Sequence, residues 1–478
     1  MSLRRHLCGL LAGAALASGA LAAPDPFSTE ARTAASANRA LGDETGINPC
    51  EFGPLPTPLE LAEAIERALC QNPQTRAAWG EARTQAALLG VARAAYLPSV
   101  AASVSYLAQK SSSAYDGKYE VLDAETRPRT RAGSLKLSWT LFDSGLRAAN
   151  TDQASALLDA ANASHDLTLQ RALLDAAQAY FDVQMAQALL RAAQAAEAAA
   201  GKSHQATEAK YAAGVGALTD KLQAAVALSD ARLKRVTAEG EVQNALGSLA
   251  TALGLSPDTP LRLPERELQL PGPAPRSVGE LLEDARSHHP ALLAARAELQ
   301  AAEARVRATR AEGRPTLVFS AEASERQQDK HIPISGYPPT GAVFRDSALG
   351  MQLSIPLFEG FGRGYKVRAA SSQVEVRAAK LNQLEQQVAL EVWKSYQALN
   401  TRQEHIAAAS TLLDSARRSF EVAEGRFRAG VGNILELLSA QSAVASAEQR
   451  RIEAYAGWQG ARLKLAASIG RLGLWAIR

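Results

Sequence analysis

Beyond residue 22 the chain has no run of the roughly 18 apolar residues that a membrane-spanning helix requires, so any passage through a bilayer must be made by strands. Aromatic residues are scarce, 5% against a hydrophobic share of 47%. Much of that share is alanine, small and strongly helix-forming, which favours long, closely spaced helices over a thick globular core. Neither charge sign dominates: 52 Lys and Arg stand against 49 Asp and Glu. That balance predicts no nucleic-acid partner and no acidic substrate. Cysteine is nearly absent. Cys8 lies in the N-terminal apolar run, which leaves Cys50 and Cys70. Without clustered His or carboxylates they make no metal site. In an oxidising compartment they either pair, tying an N-terminal arm to the first helix, or stay as two buried thiols.

What the chain does have is a duplication. Leu141-Phe-Asp-Ser144 answers to Leu357-Phe-Glu-Gly360, Tyr180 to Tyr396, and Tyr211-Ala-Ala-Gly-Val-Gly216 to Phe427-Arg-Ala-Gly-Val-Gly432, each pair 216 residues apart. Tyr96-Leu-Pro98 answers to Gly313-Arg-Pro315 at nearly the same offset. Solenoids and propellers repeat every ~20–50 residues, so this period marks a duplicated domain.

Residues 1–22 read as a secretory signal peptide: Arg4 and Arg5, an apolar run, then Ala20-Leu21-Ala22 before the cut. An extended arm, 23–56, is followed by repeat 1 over 57–255, a Pro-rich linker over 256–276, repeat 2 over 277–472 and a tail over 473–478. In each repeat a helix breaks at a proline, Asn72-Pro73 or His289-Pro290, restarts, and ends before Pro98 or Pro315. His288-His289 reads as a helix-end or surface pair and not as a metal site.

Past those prolines the period changes to two. Leu135, Leu137, Trp139 and Leu141 alternate with polar residues, as do Leu349, Met351, Leu353, Ile355 and Leu357. Weaker alternation surrounds Val100–Tyr106 and Leu317–Ala323. Four strands are expected, about 98–108, 132–142, 316–325 and 347–358, with exposed loops at 110–131 and 328–346. Two-faced strands of this length fit the wall of a transmembrane barrel, which needs ~9–11 residues per strand. Four strands cannot close a barrel, and lipid does not tolerate open edges, so a membrane role demands oligomerisation. Three copies would give an even number, twelve.

The strands lead into the longest helical stretches. Val392, Tyr396, Leu399, Gln403, Ile406, Ser410, Leu413, Arg417, Phe420, Glu424 and Phe427 alternate by four and three, a coiled-coil seam; Leu169, Leu173, Ala176, Tyr180, Val183, Gln187 and Leu190 do the same. Gly214-Val-Gly216 and Gly430-Val-Gly432 then make tight turns into antiparallel return helices. Gly360-Phe-Gly-Arg-Gly fits no phosphate-loop fingerprint and reads as a strand-to-helix joint, with Arg147 and Arg363 at equivalent positions.

On the duplicated strand-strand-helix order, the paired Leu-Phe-Asp/Glu segments and the two Ala-Gly-Val-Gly turns, the chain resembles the TolC-like outer-membrane efflux and secretion ducts. Cys50, Ala68-Leu-Cys-Gln-Asn-Pro-Gln-Thr-Arg-Ala-Ala-Trp79 and Tyr96-Leu-Pro98 look most like the branch that includes the cyclolysin exporter of type I secretion. The resemblance implies a mainly α fold with a transmembrane β-barrel contribution: a homotrimer with a twelve-stranded outer-membrane barrel and a periplasmic α-helical barrel. It implies a periplasmic adaptor and an inner-membrane transporter, ABC or proton-driven, as partners, lipid around the strands, no cofactor and no catalysis. The tip turns, Gly214, Gly216, Gly430 and Gly432, would mark the periplasmic gate. Asp220 matches a latch carboxylate, Glu436 an acidic constriction ring, and Ser439 the next ring position. Where the family's latch has an aromatic hydroxyl and an arginine, this chain has Phe427 and Gly432. Charge complementing a helix N-terminus accounts for Asp220 and Glu436 equally simply. The rival reading is a secreted coiled-coil scaffold or adhesin without a pore.

Overall fold

Heptad spacing in the two proline-free stretches becomes two helices of 67 residues each, roughly 100 Å long at 1.5 Å per residue. They dominate the computed structural model, which describes residues 25–33, 50, 52–118, 124–264, 277–330 and 340–471. The expected signal peptide, most of the linker and the tail lie outside the described residues.

The elements run α1 (Leu61–Gln71), α2 (Pro73–Ala94), β1 (Ser99–Ala108), β2 (Ser111–Ser113), β3 (Ala124–Thr126), β4 (Arg129–Phe142), α3 (Leu146–Ala212) and α4 (Leu218–Ala252). The second repeat supplies α5 (Val278–His288), α6 (Pro290–Ala311), β5 (Thr316–Lys330), β6 (Thr340–Ser354), α7 (Gly362–Arg428) and α8 (Ile434–Ile469). Only the short hairpin β2–β3 has no counterpart among the described residues. The first helix begins at Leu61, four residues after the expected start of the repeat.

Each proline break is capped by the residue before it. Asn72 accepts the Gln74 N–H at 2.8 Å through its side chain, and His289 accepts the Ala291 N–H at 3.2 Å through Nδ1. The return helix of each repeat then ends against that break. A Cβ on Gly254 would stand 2.7 Å from the Gln71 carbonyl oxygen, and one on Gly470 would stand 2.7 Å from the His289 Cα; both glycines have positive φ. Glycine is therefore required twice over at each position. Cys50 and Cys70 are joined by a disulfide, and Arg67 clamps the same stretch of arm, donating to the Gly53 and Pro54 carbonyls with its guanidinium over the Phe52 ring.

The seam residues become the core. Val392, Leu399 and Ile406 on α7 pack with Tyr455, Trp458, Leu465 and Ile469 on α8. Ala176, Tyr180 and Val183 on α3 pack with Leu249 on α4, with Leu253 just past its end, and with Leu59 and Ala64 before and within α1. The Tyr180 hydroxyl meets its hydrogen-bonding need on the Leu59 carbonyl, 3.1 Å away. Ile65, Leu169 and Leu173 reach Leu463 on α8, which welds the repeats together.

The four long strands form one antiparallel sheet, ordered β1-β4-β5-β6. In the half of the sheet nearer the helices, its register separates an apolar face from a polar one. Val100, Leu137, Ala321 and Leu349 share a row, while Ser103, Ser134 and Ser324 share another on the opposite side. Several strand limits differ from expectation. β6 ends at Ser354 and not 358, because Pro356 has no N–H for the ladder. At the far end, the β5–β6 ladder runs on to Lys330↔Thr340, and β4 begins at Arg129. Stretches read as loops from their polar composition are thus partly paired strand.

Candidate functional site at the helical tips

The helices form a layer with two open edges. Towards the sheet, α2 packs on α3, α3 on α6 and α6 on α7; away from it, α4 packs on α3, α3 on α8 and α8 on α7. One edge is therefore α2 with α4, the other α7. The sheet repeats this arrangement, with β1 following α2 and β6 leading into α7 as its unpaired edges. α4 carries a second apolar seam on the side away from α3: Leu218, Leu222, Val226, Leu233 and Val236 are all more than half exposed. On α7, Val422 is 62% exposed and Leu412 42%.

The distal ends of this layer are the two glycine turns, built alike. Gly214 and Gly430 have φ of 76° and 79°, and the next residue's N–H returns to the preceding helix, Val215 to the Lys210 carbonyl and Val431 to the Arg426 carbonyl, each at 3.0 Å. The second glycine of each turn is needed for space. A Cβ at Gly216 would lie 3.0 Å from Lys210 and Tyr211 backbone atoms, and one at Gly432 would lie 2.8 Å from the Phe427 nitrogen. Gly432 is thus fixed by the turn itself.

Asp220 and Glu436 occupy equivalent places in the first turns of α4 and α8. Asp220 is half-buried and its carboxylate makes no side-chain bond among the described residues. Glu436 is exposed and faces Arg426 of its own hairpin at 3.6 Å, and Ser439 is exposed one turn further along α8. Sequence reasoning passed over the basic residues here. Lys221 bonds Glu208 at 2.9 Å and holds that carboxyl below the ordinary glutamate range. Lys210 donates to the Phe427 carbonyl at 3.3 Å, with its ammonium 3.9 Å from the Phe427 ring centroid. The available signal was positional: Lys210 and Arg426 are themselves 216 residues apart, each in the last turn before a glycine turn.

A two-faced sheet with open edges, set at one end of a layer of long paired helices built from two repeats, defines a class: wall segments of an outer-membrane channel. The chain belongs to the outer membrane efflux protein family, which it matches over residues 64–255 and 281–471. It is 33% identical to protein CyaE of Bordetella pertussis over 415 residues, 87% of this chain and 85% of that protein. It is 23% identical to the outer membrane protein TolC of Escherichia coli, covering 89% of this chain and 85% of that protein. Among solved structures, the outer membrane protein VceC of Vibrio cholerae superposes with a TM-score of 0.72 at 20% identity, over 86% of this chain and 96% of VceC. The protein is an outer-membrane efflux or secretion channel that extends into the periplasm, in a family of channel proteins.

Proposed function

We propose that three copies of this chain close into one passive duct, through which cargo delivered by an inner-membrane transporter and a periplasmic adaptor leaves the cell. The observation that carries the reading is the matching pair of open edges. β1 and β6 each leave a ladder of backbone groups unpaired, a state lipid does not tolerate, and the same two edges continue along the helices. The heights agree as well. Val422 lies eight residues before Gly430 and Leu222 six after Gly216, while Leu412 and Leu233 lie eighteen and seventeen residues from the same glycines. On neighbouring copies, these apolar side chains would meet edge to edge. Four strands per copy then give a barrel of twelve, wide enough for a water-filled lumen.

At the tip the three Glu436 carboxylates would ring the narrowest part and favour cations by concentrating negative potential there. Asp220 is the second acidic residue of the gate and Ser439 the next ring above Glu436. The resemblance to the cyclolysin-exporter branch favours protein export of the type I kind over small-molecule efflux as the cargo class.

The test is single-channel conductance of the detergent-purified chain in a planar bilayer, with light scattering to count copies. Trimers giving small cation-selective steps, with selectivity reduced in Glu436→Ala, are the expected result. Unaltered selectivity would remove Glu436 from the gate and leave the duct. Monodisperse monomers that never conduct would remove the duct.

A further inference from the structure

Each tip hairpin is fastened within itself, the first by Lys221 to Glu208 at 2.9 Å and the second by Arg426 to Glu436 at 3.6 Å. Among the described residues at the tip, one side chain fastens hairpin to hairpin. Lys210 leaves the last turn of α3 and ends at the C-terminus of α7, on the Phe427 carbonyl and the Phe427 ring. Among the described residues, the next polar side-chain contact between the hairpins is Ser203 with Gln441 at 3.5 Å, about 10 Å further from the tip by helical rise.

The position suits a cation in two respects. The Phe427 carbonyl lies at the negative end of the α7 dipole; it already accepts the Gly430 N–H at 3.3 Å, and its second lone pair takes the ammonium. The Phe427 ring presents a π face to the same ammonium. That ring is a fixed target, 8% exposed and packed on Ile434 and Leu437. Lys210 itself is half-buried, so water competes only partly for its charge. Its counterpart Arg426 is engaged within its own hairpin, so the contact occurs once in each copy.

We propose that Lys210 is the latch of the closed tip: its bond to the end of α7 and its seat on Phe427 hold the two hairpins of one copy together, and opening breaks both. This rests on the reading of the tips as the gate of a duct. It takes the place of a latch between side chains, for which Phe427 has no hydroxyl and Gly432 no side chain, and uses an aromatic face and a helix-end carbonyl instead.

The experiment compares single-channel recordings of the full-length protein with Lys210→Met, Lys210→Gln, Lys210→Arg, Phe427→Leu and the Met/Leu double variant, each checked for trimers by light scattering. Lys210→Met is expected to raise open probability by roughly two- to fivefold for each copy whose latch must release, the factor that an exposed cation–π contact supplies. Lys210→Arg restores closure, because guanidinium also donates and also stacks. Lys210→Gln keeps a donor without charge, opens as Met does, and serves if Met does not assemble. The double variant opens no more than Lys210→Met alone, because both changes remove one contact. Trimers of Lys210→Met and Lys210→Gln that gate like the wild type, or Met and Leu effects that multiply, overturn the latch while the duct stands. A wild-type protein that neither trimerises nor conducts overturns both.

Discussion

Arg147 and Arg363 stand at the same joint of the two repeats, where a strand hands over to a long helix, and the first is bonded far more completely. The Arg147 side chain donates to the Asp143 carboxylate at 2.8 Å and to the Thr140 carbonyl at 2.6 Å, and its guanidinium lies 4.8 Å from the Tyr96 ring centroid. Asp143 also accepts the Arg147 backbone N–H at 2.9 Å, so it caps α3 as well. In repeat 2 the aspartate is Glu359, one methylene longer, which faces Arg363 at 3.2 Å without capping α7. The tyrosine is Gly313, and Arg363 has moved into the room left by the missing side chain, where a Cβ would lie 2.0 Å from its Nε. That Nε is buried and makes no hydrogen bond among the described residues. Duplication has kept the backbone path and let the chemistry that secures it diverge.

The largest effect is expected where the repeats have not diverged. Gly254 and Gly470 both combine positive φ with a backbone wall at 2.7 Å. Alanine at either meets both the left-handed penalty and overpacking, together about 2–5 kcal/mol. The thermal midpoint of the purified protein should fall by similar amounts in Gly254→Ala and Gly470→Ala. A tolerant Gly470→Ala would mean that the second repeat is the looser one even at its core.

The joint should separate the repeats. Arg147→Ala leaves the buried Asp143 carboxylate without its partner and the Thr140 carbonyl without a donor, an expected loss of about 3–5 kcal/mol by the rule for half of a buried pair, lessened by the partial exposure of this one. Arg363→Ala removes an ion pair more than one-third exposed and frees a buried guanidinium nitrogen, so a change within about 1 kcal/mol is expected. Equal losses, measured by the same thermal assay, would mean that Arg363 is fully engaged in the assembled protein.

These contrasts also mark what the sequence made legible. The 216-residue offset and the heptads gave the element order, the tip turns and the seam, because a coiled coil repeats its own rule at every turn and tertiary context rarely overrides it. Strand ends were harder. Arg129 and Thr130, and Lys330 paired with Thr340, extend ladders through polar sequence, since backbone pairing asks nothing of side-chain polarity. The joint was read as a joint, but its conformation was not. Ser144 and Gly145 have φ of 52° and 92°, and Gly360 and Phe361 have 59° and 65°. Both repeats keep a left-handed pair while the glycine has moved from second place to first, and nothing in the residue types announces a left-handed phenylalanine. At the tip, Asp220 and Glu436 stood out as acids in a first turn. Lys210 did not, because its partner lies 217 residues away in sequence.

The smallest effect lies at the proline break, where Asn72 and His289 do the same work with different chemistry. Both accept a backbone N–H at the start of a helix, but only histidine loses that ability on taking up a proton. Burial pushes the His289 imidazole below its ordinary value, Arg171 on α3 adds to the shift, and Glu391 on α7 opposes it. The unfolded chain takes up this proton near pH 6.5, while the folded one resists it. Stability from this site is therefore complete above about pH 6.5 and is lost as the pH falls toward the lower folded value. His289→Asn installs the cap that repeat 1 already uses and has no such proton to gain. Thermal midpoints of the variant from pH 7.5 to 5 should decline less steeply than those of the wild type. Parallel declines would mean that other groups carry the acid sensitivity and that the two breaks are equivalent in function as well as in shape.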